Sequence, residues 1–212
     1  MKKILYRGSC DEISMKKSRF IGTSIPVTSS QEAMEIINEF KKKYWDATHN
    51  CYAYRINENE KKCSDDGEPS KTAGYPILDV IDNNKIDNCL IIVTRYFGGT
   101  LLGTGGLVKA YTEGANAALK NAKVIEIYNG INVDINCNYE EYGSLNYILN
   151  DNNIFINNTE FTDIIKMNLY IYDYQRENIE KKIQNILRKV EPFTNSREVK
   201  MALLDGEMLE FE

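Results

Sequence analysis

Apolar and polar positions follow two different rhythms along this chain, one on either side of about residue 130. Before that point, short strand-like and helix-like stretches are separated by long polar or glycine-rich segments. The opening residues Ile4, Leu5 and Tyr6 read as a first strand, and residues 20–27 as another. Ser29 then precedes Glu32 with the spacing of a capping box, in which the serine accepts from the backbone of the glutamate and the glutamate reaches back. Ala33, Ile36, Ile37, Phe40 and Tyr44 follow with helical periodicity. Lys41, Lys42 and Lys43 end that helix, where cations complement the macrodipole. A strand is expected around 50–56, a polar segment over 57–74, and a central strand in the β-branched run 90–94. A helix over about 107–122 closes the half, and its face of Leu107, Tyr111, Ala115, Ala118 and Leu119 is small enough to lie close against a sheet. This half reads as a mixed sheet covered by at least two helices, spanning residues 1–128.

Beyond it the pattern simplifies. Strand 131–137, helix 140–149, strand 154–160, strand 163–172, helix 176–190 and strand 199–204 follow in order. That is β-α-β-β-α-β, the split βαβ arrangement of a ferredoxin-like domain, placed at residues 129–212. Ile179, Ile183, Ile186, Leu187 and Val190 form the apolar face of its second helix. The fold class is therefore α/β (α+β) with two domains, and the second half explains itself as fold.

Composition narrows the partners more than the fold. The chain of 212 residues is 42% hydrophobic and 27% charged, with no apolar run long enough for a bilayer. Its N-terminus lacks the apolar segment of a signal peptide, so a cytoplasmic location is expected and no membrane partner. Five scattered cysteines and a single histidine argue against a structural zinc site and for reduced, packed thiols. The net charge of -5 conceals an asymmetry: 18 Lys+Arg against 16 Asp+Glu through Tyr128 give +2, and 8 against 15 afterwards give -7. Contact with nucleic acid belongs to the first half, because an acidic surface is repelled by phosphates. The second half better suits a basic protein partner or plain solubility.

Three segments of the first half hold more special residues than folding needs. In the run from Thr94 to Tyr111, Gly98, Gly99, Gly103, Gly105 and Gly106 lie between the central strand and the following helix. Glycines there either make a tight strand-to-helix connection or let a phosphate approach the backbone at a helix N-terminus, with Thr104, Lys109 and Arg95 as further donors. The loop is neither a P-loop, since Thr104 stands where lysine is required, nor a dinucleotide fingerprint, since Val108 takes the third glycine position. In the run from Ser64 to Pro76, Asp65, Asp66 and Glu68 bracket Gly67 and precede Pro69, which marks a turn. Its carboxylates can be solvated, can pair with Arg95 or Lys71, or can hold a hard cation or act as a base. His49 is the base available to any histidine-dependent scheme, and Cys51, two residues along the same strand, faces the same side. A structural histidine and a Cys-His arrangement both remain open. No motif calls for a cofactor.

Taken together, Asp46-Ala-Thr-His49 with Cys51-Tyr-Ala-Tyr54, Asp65-Asp-Gly-Glu-Pro69 with Thr72-Ala-Gly-Tyr-Pro76, and Thr94-Arg-Tyr-Phe-Gly-Gly99 with Gly103-Thr-Gly-Gly-Leu-Val-Lys-Ala-Tyr111 closely resemble the IMPACT (YigZ) family in its bacterial two-domain form. The resemblance implies a first domain like domain 2 of ribosomal protein S5 and like domain IV of the translocation elongation factor, and a second like that factor's domain V. It also implies a translation regulator acting through RNA, the ribosome or a protein of the translation apparatus; the residues themselves offer Lys71, Arg95, Lys109, Thr104 and the Gly98–Gly106 loop as the expected contacts. The alternative is a metal-dependent hydrolase or phosphoryl-transfer enzyme using His49, Asp65, Asp66 and Glu68. One departure stands out: Lys71 precedes Thr72-Ala-Gly74 where the family is expected to carry glycine.

Overall fold

The computed structural model describes residues 2–188, 192–193 and 195–211. Its elements are β1 (Lys2–Arg7), β2 (Cys10–Met15), β3 (Ser18–Pro26), α1 (Ser30–Lys43), β4 (His49–Arg55), β5 (Lys61–Ser64), α2 (Gly74–Asn84), β6 (Ile86–Asp87), β7 (Cys89–Tyr96), α3 (Gly103–Lys120), β8 (Lys123–Cys137), α4 (Tyr139–Asp151), β9 (Phe155–Phe161), β10 (Ile165–Tyr172), α5 (Asp173–Leu187), β11 (Ser196–Leu204) and β12 (Glu207–Phe211). Contacts divide the chain into two compact units, Lys2–Ile125 and one from Glu126 onward. No helix among the described residues is long and apolar enough to cross a membrane.

The first unit is built on a five-stranded sheet in the order β2-β3-β7-β4-β5. It is antiparallel throughout rather than mixed, and apart from it β1 and β6 make a short parallel match. The central strand β7 is apolar on both faces because both are covered. Cys89, Ile91 and Val93 join the core under α2 and α3, while Leu90 and Ile92 pack with Ala33 and Ile37 of α1. Helix α3 lies very close to the sheet. A side chain at Gly22 would put its Cβ 2.0 Å from the carbonyl oxygen of Gly114, so a glycine on the strand and small residues on the helix are what this approach requires.

At α1 the expected cap forms: Ser29 Oγ accepts from Glu32 N at 3.2 Å, and the Glu32 carboxylate accepts from Thr28 N at 2.7 Å. Helix α2 and strands β2, β5, β6 and β12 were not signalled by periodicity. Residues 57–74, expected as one polar segment, contain β5.

In the second unit the strand order β9-β10-β8-β11-β12 with α4 and α5 makes a ferredoxin-like domain extended by a final hairpin. Leu145 and Leu149 of α4 and Ile179, Ile183 and Leu187 of α5 cover Ile131, Val133, Ile165, Met167 and Leu169 of the sheet. Asn138 and Glu141 form a full capping box at α4. Helix α5 begins at Asp173, and its expected end at Val190 lies outside the described residues.

Candidate functional site

Strand register in the first unit places three side chains in a row on the face covered by α3. Phe20 on β3 is opposite Arg95 on β7, and His49 on β4 is opposite Arg95 from the other side. Arg95 therefore sits between an aromatic ring and an imidazole, only 5% exposed. Its guanidinium carbon lies 5.5 Å from the Phe20 ring and 5.5 Å from the Phe97 ring, and planar cations stack well on such faces.

Glu68, 8% exposed, neutralises it. Its Oε1 accepts from Arg95 Nη1 at 2.5 Å and from Tyr111 Oη at 2.7 Å, while Oε2 lies 3.8 Å from His49 Nε2. A buried carboxylate is tolerable when charge and hydrogen bonds both meet it, and here both do. Burial also drives the Tyr111 phenol far above its ordinary value, so it stays a donor. Arg95 Nε is buried without a hydrogen-bond partner.

The other two carboxylates of the turn are committed elsewhere. Asp65 caps α2: its Oδ1 accepts from Ala73 N at 3.0 Å and Gly74 N at 2.8 Å, and its Oδ2 from Lys71 N at 2.8 Å. Asp66 meets Lys41 Nζ at 2.5 Å and Asn50 N at 2.7 Å. Its carbonyl lies 2.8 Å from His49 Nδ1; a carbonyl only accepts, so Nδ1 carries the proton and Nε2 is turned toward Glu68. Asp65, Asp66 and Glu68 thus do not gather around one point. Among the described residues no three His, Cys, Asp or Glu side chains group to hold a metal ion.

Cys51 lies on the histidine's side of the strand but is fully buried. Its thiol donates to the Asp65 carbonyl at 3.0 Å, and burial pushes it far above the ordinary thiol range. A thiol held in its protonated form is no nucleophile, which removes the Cys-His arrangement.

A cleft of about 460 Å³ opens over this cluster. Thr48, His49, Arg95 and Phe97 come from the strand ends, and Gly67, Glu68 and Pro69 from the acidic turn. Leu101, Leu102, Gly103, Thr104 and Leu107 close it from the loop and first turn of α3. The glycine-rich segment is only partly a loop, since Gly103, Gly105 and Gly106 belong to α3. Gly103 has φ +73 and Gly99 φ +83, the left-handed region that favours glycine. Gly98 is required for a different reason. A Cβ there would lie 2.0 Å from the Lys17 carbonyl carbon, and Gly98 N donates to Ser18 Oγ at 3.0 Å.

The expected phosphate-contacting cations do not assemble. Arg95 is internal. Lys109 is exposed beside Glu113 at 3.8 Å, and Lys71 is exposed with its ammonium 5.7 Å from the Tyr75 ring. Lys71 has φ +63, which gives the expectation of glycine at this position a physical basis. Sequence reading missed Lys16 and Lys17, which form the β2–β3 turn that Gly98 packs against, and the exposed Phe97 and Leu101. Two lysines flanked by alternating polar and apolar residues were the available sign of that hairpin.

Fold and cleft together define a two-domain α/β protein: a sheet domain with a glycine-bounded cleft, followed by a ferredoxin-like domain. The Impact N-terminal domain matches residues 16–119, and a domain of unknown function, DUF1949, matches residues 135–188. An IMPACT family member from Bacillus subtilis, YvyE, is 37% identical over 162 residues, covering 76% of this chain and 75% of the relative. YigZ of Escherichia coli is 39% identical over 110 residues, covering 50% of this chain and 54% of the relative. The crystal structure of a hypothetical protein aligns with TM-score 0.56 and 25% identity, over 93% of this chain and 97% of that one. The chain belongs to the IMPACT family.

Proposed function

We propose that the protein acts in the control of translation as a binding protein, contacting RNA or the ribosome through its first unit. The observation that carries this reading is the surface beside the cleft. Phe97 and Leu101 are 46% and 82% exposed, and the Gly98 contact brings the Lys16–Lys17 turn against the same loop. An exposed ring beside lysines offers a stacking platform for a base and charge for the flanking phosphates. Lys71 and Lys109 extend the basic character of this unit, while Arg95 holds the floor of the cleft. Membership of the IMPACT family and the charge asymmetry along the chain support the same reading.

The test is sedimentation of the purified protein with ribosomes through sucrose at rising salt. Two variants run beside it, Lys16→Ala/Lys17→Ala/Phe97→Ala and Lys71→Ala/Lys109→Ala. Co-sedimentation is expected to weaken with salt, as counterion release requires, and to be lost in the first variant and reduced in the second. Absence of co-sedimentation at low salt, or binding indifferent to both variants, would refute the reading.

A further inference from the structure

Two acceptor atoms at the cleft over the Arg95–Glu68 pair are met by no donor of the protein. One is His49 Nε2: the Asp66 carbonyl, 2.8 Å away, holds the ring proton on Nδ1, which leaves Nε2 a lone pair. The other is Glu68 Oε2, since the hydrogen bonds from Arg95 and Tyr111 both go to Oε1. Among the described residues, the fully enclosed side-chain atoms without a partner are Arg95 Nε and Gln175 Oε1. His49 Nε2 and Glu68 Oε2 are therefore unmet without being sealed off, and both residues line the cleft. Glu68 is only 8% exposed, and an oxygen of so buried a carboxylate is costly to leave without a donor.

Spacing selects the donor. The two atoms lie 3.8 Å apart, so one nitrogen about 2.9 Å from each reaches both with two of its N–H bonds. A hydroxyl, with a single hydrogen, meets one of them and leaves the other unmet.

Charge selects a cation. The turn brings the carboxylates of Asp65, Asp66 and Glu68 to this place. Lys41 meets Asp66 at 2.5 Å and Arg95 meets Glu68 at 2.5 Å, whereas Asp65 accepts from the backbone of Lys71, Ala73 and Gly74. One negative charge of the turn is thus in excess, which favours an ammonium over a neutral amide. Glu68 is met by Tyr111, about two turns into α3, and not by its N-terminal turn, whose partial positive charge repels a cation. Pro69, Phe97, Leu101, Leu102 and Leu107 supply apolar walls, suited to a hydrocarbon stem.

We propose that this cleft binds a primary alkylammonium group, its nitrogen donating to His49 Nε2 and Glu68 Oε2 and its apolar stem lying along Phe97 and Leu107. A free amine and a lysine side chain of another protein carry this same chemistry. The inference does not depend on the RNA or ribosome reading, which rests on the outer surface of Lys16, Lys17 and Phe97. His49 is the only histidine of the chain, so its ring nitrogens report on the site without ambiguity. Hexylammonium titrated into the untagged, isotope-labelled full chain at about pH 8, above the ordinary histidine range, provides the test. A saturable shift of the His49 Nε2 resonance is expected, with Nδ1 little changed. Hexan-1-ol, which lacks the charge, and hexyltrimethylammonium, which keeps the charge without an N–H, are each expected to bind at least about tenfold more weakly. Nα-acetyl-lysine methylamide separates the two sources: binding tighter than hexylammonium assigns a lysine side chain, and weaker binding a free amine. His49→Phe removes one acceptor and keeps a ring in its place, and it is expected to weaken hexylammonium about tenfold. Should that variant not fold, the ligand series on the native chain decides. Absence of a saturable Nε2 shift, equal binding of the alcohol or of the quaternary ammonium, or a folded His49→Phe variant of unchanged affinity would each overturn it.

Discussion

The two units solve the problem of a core in opposite ways. Among the described residues, every buried charged or amide side chain, Glu68, Arg95, Asp87 and Asn50, lies in the first unit, together with buried Ser18, Ser24, Thr72 and Thr94. In the described part of the second unit no whole side chain of these kinds is buried, and only the Gln175 Oε1 atom is buried without a hydrogen-bond partner; Ile131, Leu145, Met167, Ile179 and Ile183 typify its core. Apolar burial stabilises without geometric demands, whereas each buried polar group must be met or it destabilises. A fold that wanted only stability would follow the second unit. The first accepts a charged pair, a bonded phenol and an unmet Nε in one place, and that place lines the cleft.

Removing one partner from each core would expose this contrast most sharply. Glu68→Ala leaves the Arg95 charge buried and unpaired and is expected to cost about 3–5 kcal/mol. Ile183→Ala, in the second unit, leaves only a cavity and is expected to cost about 2–4 kcal/mol. Hydrogen exchange resolved by peptide should localise the first loss to residues 2–125 and the second to the later residues. If Glu68→Ala loosened both units equally, the separation of roles would be wrong.

Acid titration gives a subtler separation. Burial acts to raise the Asp82 carboxyl, but hydrogen bonds from Lys61 and Arg55 outweigh it and hold the group below its ordinary 3.8. A carboxyl lowered on folding adds stability above its unfolded value, and that stability is lost as pH falls through the folded one. Asp82→Asn is therefore expected to destabilise the first unit at neutral pH and to make no difference well below 3.8. In the second unit Glu210 is likewise held below its ordinary 4.5: burial opposes ionisation there, and Asn132, Tyr170 and Arg197 overcome it. Urea titrations at the two pH extremes, read by unit, distinguish them. An Asp82→Asn effect that persisted at acid pH would point to packing instead.

The smallest effect concerns Lys71. Its left-handed conformation, φ +63, is strained for a residue with a Cβ. Lys71→Gly should stabilise the first unit by about 0.5–1 kcal/mol, measurable as a shift in the denaturation midpoint. No gain would mean that the stacking of Lys71 on Tyr75 offsets the strain.

These same residues show where sequence reading stops. Helix α1 was legible because its cap, Ser29, is three positions from the amide it serves, and the second unit because its cores are periodic. Helix α2 was not, since its cap is Asp65, nine residues before Gly74, and no local pattern records such a distance. The first turn of α3 read as loop because three glycines disfavour helix locally, while burial of Leu107, Ala110 and Tyr111 outweighs them. Cleft residues were individually visible, His49, Glu68, Arg95 and Thr104 among them. Their convergence depends on the register of β3, β7 and β4, which places Phe20, Arg95 and His49 side by side and leaves no trace in spacing. The pairing of Arg95 with a turn carboxylate stood among the alternatives, but a buried Glu68 and a capping Asp65 could not be told apart before the turn was folded.

The Asp65 cap also bears on the order in which the protein assembles. An 11-residue helix with Pro76 near its start and no cap of its own is below the length at which helices persist alone in water. Its first turn is completed by a carboxylate delivered from just beyond β5, a strand held in place by pairing with β4. Helix α2 is thus a late element of folding, growing once that hairpin has closed, and the Gly67–Pro69 wall of the cleft takes its final shape in the same event.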